Sequence, residues 1–154
     1  MAMAKVRYIC KVCGEVNEYR AYKPSSKSAR NFEEWAEGSF DMCPACRKAA
    51  ERREKAQTVA KYCANIPELT GSPRQISWAN DLRIKLVCAA DSRIKNSADE
   101  GHDVSIARDY ISWIVGTKTE SRFWIDNQDN DLFYIAATKE FMQTQKAQDE
   151  EVNA

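Results

Sequence analysis

Polar and apolar side chains alternate along Lys5-Val6-Arg7-Tyr8-Ile9-Cys10, the period-two pattern of a short half-buried strand. Glu15-Val16-Asn17-Glu18-Tyr19-Arg20 reads as the return strand. Residues 23–31 are polar and basic and read as a loop. Residues 32–38 fit either a helical turn closed by Gly38 or a strand edge. Strong helix formers follow, and they predict a helix from Arg47 to about Asn65, stopped before Pro67. Its first turns carry almost no large apolar residue and should be solvated, while Val59, Tyr62 and Cys63 near its end can pack. Ser72 and Pro73 suit the cap and first position of the next helix, predicted to about Arg93. There Ile76, Trp78, Ala79, Leu82, Leu86, Val87, Ala89 and Ala90 share one half of the helical wheel, and Arg83 intrudes on that apolar arc. After a polar loop over 95–102, Asp103 is placed as the cap of a helix through Ile106, Tyr110, Ile111, Trp113 and Ile114, ended at Gly116. A short helix is predicted around Phe123-Trp124-Ile125, a last one over 129–146, and a frayed tail over 148–154.

Four cysteines change this picture most. Cys10-Lys11-Val12-Cys13 and Cys43-Pro44-Ala45-Cys46 form two Cys-x-x-Cys knuckles with 29 residues between them. Two thiolates on a tight turn grip one face of a tetrahedral ion, and a second pair closes the site. Gly14 and Pro44 suit the turns that aim the sulfurs inward. The pattern predicts one structural Zn2+ held by Cys10, Cys13, Cys43 and Cys46. A redox pair normally occurs once, beside a βαβ pattern that this segment lacks. A disulfide framework fits poorly with a start that shows no signal segment, and iron–sulfur ligation is a further alternative. Four thiolates leave the ion no open position, so the metal should hold structure rather than activate water. The expected fold class is α+β: a zinc-ribbon-like module over 1–46, a connecting helix and linker over 47–68, a helical bundle over 69–147, and the tail.

No apolar run approaches the ~20 residues that span a bilayer, and a cytoplasmic protein is expected. Net charge is zero but uneven. Residues 1–70 carry 13 Lys/Arg against 9 Asp/Glu, a balance of +4, and residues 71–154 carry 10 against 14, a balance of −4. Four thiolates around a dication contribute about −2 to the first half, which is then only mildly basic.

Leu69-Thr70-Gly71-Ser72-Pro73-Arg74-Gln75-Ile76-Ser77-Trp78-Ala79-Asn80-Asp81-Leu82-Arg83 resembles a signature of small bacterial and phage proteins, of the form L-x-G-[ST]-x-[KR]-Q-[IV]-x-W-A-x-x-[IL]-R. Phe123-Trp124-Ile125-Asp126-Asn127 is similar to that group's second block. The resemblance covers about residues 69–127. It implies a small helical module carried by mobile elements, and it implies no activity. Physically, Trp78 and Trp124 are expected as core partners. A buried Arg83 needs a charge partner, and Asp126 is the candidate for an ion pair joining two helices. Alternatively, Gln75, Arg83 and Asp126 line a binding face.

An enzyme is not expected. His102 is the single histidine and sits in a polar loop, Cys63 and Cys88 read as helix thiols, and five scattered glycines build no phosphate loop. Asp99, Glu100 and Asp103 lack calcium-loop spacing. The leading expectation is a non-catalytic adaptor or modulator that docks on another protein or complex, with a phage or mobile-element protein acting on a host machine as the subtype. The alternative is binding of DNA or RNA. Arg7, Lys11, Arg20, Lys23, Lys27, Arg30, Arg47 and Lys48 are interleaved with Tyr8, Tyr19, Tyr22, Phe32, Trp35 and Phe40, so cations can meet phosphates and rings can stack on bases. No membrane partner and no small-molecule substrate are inferred.

Overall fold

The computed structural model describes all residues 1–154. The chain is α+β: a two-stranded antiparallel sheet with four close cysteines comes first, and helices follow. It divides into two compact units, Met1–Arg53 and Glu54–Ala154.

In the first unit, β1 (Ala2–Ile9) pairs with β2 (Val16–Lys23) from Ala2↔Lys23 to Ile9↔Val16. The alternation predicted for these strands sorts their side chains. Ala4 and Val6 are buried on one face, and Met3, Lys5, Arg7 and Ile9 are exposed on the other. The buried face meets α1 (Ser26–Ser39) through Ala29 and Ala36. This helix overturns the loop expected over 23–31. Ser25 caps it by accepting from the Ser28 N–H at 3.2 Å, and its packing face is built from alanines. Small residues let the helix approach the sheet closely, and although Ala29, Phe32 and Ala36 keep helical spacing, the serines, lysine and arginine around its first turn read as a loop. Glu33 Oε1 accepts the Lys5 N–H at 2.8 Å and so covers part of the outer edge of β1.

α2 (Pro44–Tyr62) begins inside the second cysteine pair, three residues before the predicted start, and its first fourteen residues are almost wholly solvated. The second unit packs α3 (Pro73–Asp99), α4 (Ser105–Thr117), the short α5 (Ser121–Asp126), a 3-10 turn at Leu132–Tyr134 and α6 (Ala136–Val152). Its core gathers Val59, Leu69, Leu82, Leu86, Val87, Ile94, Tyr110, Ile111, Ile114, Val115, Trp124, Leu132 and Phe141. α3 opens with a complete capping box, in which Ser72 Oγ accepts from the Gln75 N–H and Gln75 Oε1 from the Ser72 N–H. It runs past Arg93 to Asp99, so the predicted loop at 95–102 shrinks to a turn around Gly101, whose φ is +86°. Asp103 still serves the start of α4, accepting from the Ser105 N–H at 3.0 Å. The segment expected to fray stays helical to Val152.

Two expectations about α3 are corrected. Trp78 is 48% exposed and is not a core partner of Trp124, which is fully buried. Arg83 is buried, but Asp126 is not its partner: the guanidinium donates to the Pro67 carbonyl at 2.9 Å and to Asn80 Oδ1 at 2.8 Å. Asp126 is exposed and faces Arg122 at 3.4 Å. Arg83 therefore pins the segment before α3 rather than joining α3 to α5. Arg83→Ala is expected to destabilise the second unit by about 2 kcal/mol, because it strands a carbonyl and an amide oxygen. Asp126→Ala should change stability by less than about 0.5 kcal/mol. Chemical denaturation of the two variants separates these outcomes.

Candidate metal centre

The first knuckle closes the β1–β2 hairpin. The Cys10 N–H donates to the Glu15 carbonyl at 2.9 Å, the Gly14 N–H donates to the Cys10 carbonyl at 2.8 Å, and Gly14 adopts φ +76°, a conformation that favours glycine. The second knuckle is the first turn of α2: Pro44 starts the helix, and the Arg47 N–H donates to the Cys43 carbonyl at 3.0 Å. A further backbone bond, Lys11 N–H to the Asp41 carbonyl at 2.8 Å, ties the two knuckles together. The second pair thus sits on a helix start, where the Cys46 N–H donates to Cys43 Sγ at 3.4 Å.

The ligand atoms of Cys10, Cys13, Cys43 and Cys46 all lie within 4.8 Å of one another, close enough to hold one metal ion. The sulfurs of Cys13 and Cys43 stand 3.8 Å apart. A tetrahedral centre with metal–sulfur bonds of ~2.3 Å has sulfur–sulfur edges of ~3.8 Å, so the site is compatible with zinc. Cys10 and Cys43 are buried and Cys13 is exposed. The backbone N–H groups of Cys13 and Cys43 lower the Cys10 thiol to about 6. Cys46 is pushed up to about 12, first by its hydrogen bond to Cys43 and then by burial. Four crowded sulfurs cannot all carry charge unaided, and a bound cation removes that conflict by displacing the remaining protons.

The other residues singled out in the sequence fall on two sides of the hairpin. On the α1 side, Tyr8, Tyr19, Phe32, Trp35 and Phe40 form one aromatic cluster, with centroid separations of 5.3–6.2 Å among them. Lys23 Nζ sits 3.9 Å from the centroid of the Phe32 ring. Arg47 and Lys48, with Tyr8, Tyr19, Phe40 and Met42, line a cavity of about 400 Å3. Trp35 is 59% exposed. Arg7, Arg20 and Tyr22 occupy the opposite face of the sheet, Lys11 the exposed knuckle tip, and Lys27 and Arg30 exposed positions on α1.

Several signature residues of the second unit take part in its folding, while Trp78 and Asp126 stay exposed. The Thr70 N–H donates to the Thr119 carbonyl at 2.8 Å, and the Ser121 N–H donates back to the Thr70 carbonyl at 3.0 Å. Gly71 has φ +142°, which favours glycine, and a Cβ there would press on Gln75 Oε1 at 3.1 Å and Ser121 Oγ at 3.2 Å. Trp124 Nε1 donates to the Lys118 carbonyl at 2.9 Å. A buried acid that the apolar pattern does not flag, Asp91, accepts from the Tyr62 hydroxyl at 2.6 Å and pairs with Lys95 at 3.1 Å. His102 is exposed beside Glu100 at 3.6 Å, and Cys63 and Cys88 each donate to a backbone carbonyl. No helix is long and apolar enough to cross a membrane.

Compared with known protein families, with curated proteins and with solved structures, the chain matches none.

Proposed function

We propose that the protein is a non-catalytic zinc-binding adaptor whose first unit docks on another protein or complex. The observation that carries this reading is the aromatic cluster beside the four cysteines. Tyr19 and Trp35 present it to solvent at 46% and 59% exposure, and Lys23 and Arg47 border it. Trp, Tyr and Arg are the side chains that dominate protein interfaces. Zinc is the proposed ion because four thiolates at tetrahedral spacing suit it. Such an ion is closed to substrate, so its role is to stiffen the platform. The resemblance of residues 69–127 to proteins of phage and mobile elements makes a host machine in the cytoplasm the proposed target.

Nucleic-acid binding is the second reading, favoured by the cavity in which Arg47 and Lys48 adjoin Tyr8, Tyr19 and Phe40. It ranks lower for two reasons. The ring faces are spent partly on one another, and Arg7, Arg20 and Tyr22 lie on the opposite face of the sheet.

Two experiments with zinc-loaded protein decide between them. In nuclease-treated lysate, the wild type should retain a protein partner, and Trp35→Ala should weaken that complex at least ~30-fold, the effect of losing a central aromatic anchor. Labelled single- and double-stranded DNA and RNA should bind weakly even at low salt. Tight nucleic-acid binding that falls steeply with salt would overturn the adaptor reading in favour of the second.

A further inference from the structure

The hairpin of the first unit has two long edges, and they are treated differently. Cys10 and Glu15 form a hydrogen-bonded pair at the turn, so by alternation Tyr8↔Asn17 and Val6↔Tyr19 exchange ladder bonds, while Arg7↔Glu18, Lys5↔Arg20 and Met3↔Tyr22 point their N–H and C=O groups outward. On β1, the outward N–H of Lys5 is taken up by Glu33 of α1. On β2, the main-chain groups of Val16, Glu18, Arg20 and Tyr22 that point outward receive no such cover. All four residues are exposed, the strand has no proline, and its one charge on the α1 side, Lys23, sits at its last position over the Phe32 ring, beyond the four residues of this edge.

We propose that this edge pairs with the same edge of a second copy of the chain, giving a continuous four-stranded antiparallel sheet across a two-fold axis at Tyr19. The charge pattern selects the register. Outward-pointing residues must face one another, which limits symmetric pairings near the middle of β2 to axes at Glu18, Tyr19 or Arg20. An axis at Glu18 sets Glu18 against Glu18 of the copy, and an axis at Arg20 sets Arg20 against its own counterpart. The axis at Tyr19 instead sets each Glu18 opposite the other chain's Arg20. Glu18 and Arg20 already pair within one chain, so the four groups would form one alternating cluster at the axis.

The same register solves a second problem. Ile9, Val16 and Tyr22 are 65%, 61% and 73% exposed on the outer face, with Met3 at 40%. Within one chain they lie at opposite ends of the hairpin, as the pairs Ile9↔Val16 and Met3↔Tyr22. Across the Tyr19 axis, Val16 falls opposite Tyr22 of the second copy. Each isolated pair then joins a four-residue apolar row, Ile9–Val16 of one chain running into Tyr22–Met3 of the other. One register thus satisfies the main-chain groups, the charges and the apolar residues together, and for this reason a second copy is the occupant rather than an unrelated strand.

Sedimentation equilibrium on zinc-loaded full-length protein tests this. The wild type is expected to dimerise reversibly. Arg20→Glu should be folded, because the new carboxylate faces Lys5 across the hairpin, but its dimer should weaken at least ~10-fold as Glu18 meets a second carboxylate. Glu18→Arg should weaken it similarly. An equimolar mixture of the two variants should restore a dimer, since the two carboxylates of one chain then face the two guanidinium groups of the other. Far-ultraviolet circular dichroism checks that each variant is folded. Glu18→Pro deletes an N–H used only between chains, and it should also be monomeric without the introduction of any like charge. A wild type that stays monomeric at the highest soluble concentration overturns the proposal. So does a dimer indifferent to Arg20→Glu and Glu18→Pro, or failure of the mixed variants to associate.

Discussion

Cys10→Ser is expected to release the metal and unfold residues 1–53 while leaving residues 54–154 folded. The first unit has a very small core: Ala4, Val6, Ala29 and Ala36 are its buried apolar side chains besides the two buried cysteines. Alanines contribute little burial, and a segment of this size rarely stabilises itself without a staple. Structural zinc supplies apparent binding energies of about 10–16 kcal/mol in small metal-folded peptides, and zinc held by these four cysteines would add such energy to the folding of the first unit. Cys10 is the position to change because its sulfur is buried among the four, and serine removes that thiolate while leaving the main-chain hydrogen bonds of the hairpin turn in place. The second unit carries its own core, built around Trp124, Ile111 and Ile114. The check is a two-dimensional amide spectrum of the variant. Signals from the first unit should collapse to unfolded positions, and those of the second should stay dispersed. Collapse of both units together would contradict this division of stability.

Trp124→Ala should have the largest effect in the second unit, destabilising it by about 4 kcal/mol. Trp124 is fully buried, meets Phe123 edge-on at 5.2 Å between centroids, and satisfies the Lys118 carbonyl through its indole N–H. Truncation removes the packing and leaves that carbonyl unpaired. A domain of this size has a total stability of roughly 5–15 kcal/mol, so the variant should be marginal at physiological temperature. Trp78→Ala provides the contrast. Its indole is half-exposed, and a loss within about 1 kcal/mol is expected. Thermal unfolding of the two variants followed at 222 nm should rank them clearly, and equal losses would contradict the assignment of Trp124 as the anchor.

The parts of this fold that are legible in the sequence are those whose signal is local. Ligand spacing exposes the cysteine pairs, and strict alternation exposes β1. Ser72, Pro73 and Gln75 mark the start of α3 because capping is a matter of adjacent residues. The first half of α1 is illegible because its serines, lysine and arginine suggest a loop and its buried side begins with the small Ala29, while the second half is left between a helical turn and a strand edge. Arg83 stands out as an anomaly in its apolar arc, but its partner is the Pro67 carbonyl, and a main-chain acceptor leaves no mark in residue identity. Trp78 lies within the apolar arc of α3, yet a wheel cannot tell how much of that arc the neighbouring helices cover. The burial of Asp91 depends on Tyr62 and Lys95, and sequence spacing alone does not join the three. The aromatic cluster is visible as composition. Only the three-dimensional arrangement shows that it lies on one side of the hairpin and that Arg7, Arg20 and Tyr22 lie on the other.

The most direct test of the central claim is native mass spectrometry of the full-length protein, purified under reducing conditions and measured before and after a strong chelator. One zinc ion per chain is expected, lost on chelation together with the fold of residues 1–53 and regained on adding zinc back. A chain that is folded without metal, that binds an iron–sulfur cluster, or that carries disulfides among Cys10, Cys13, Cys43 and Cys46 would contradict it.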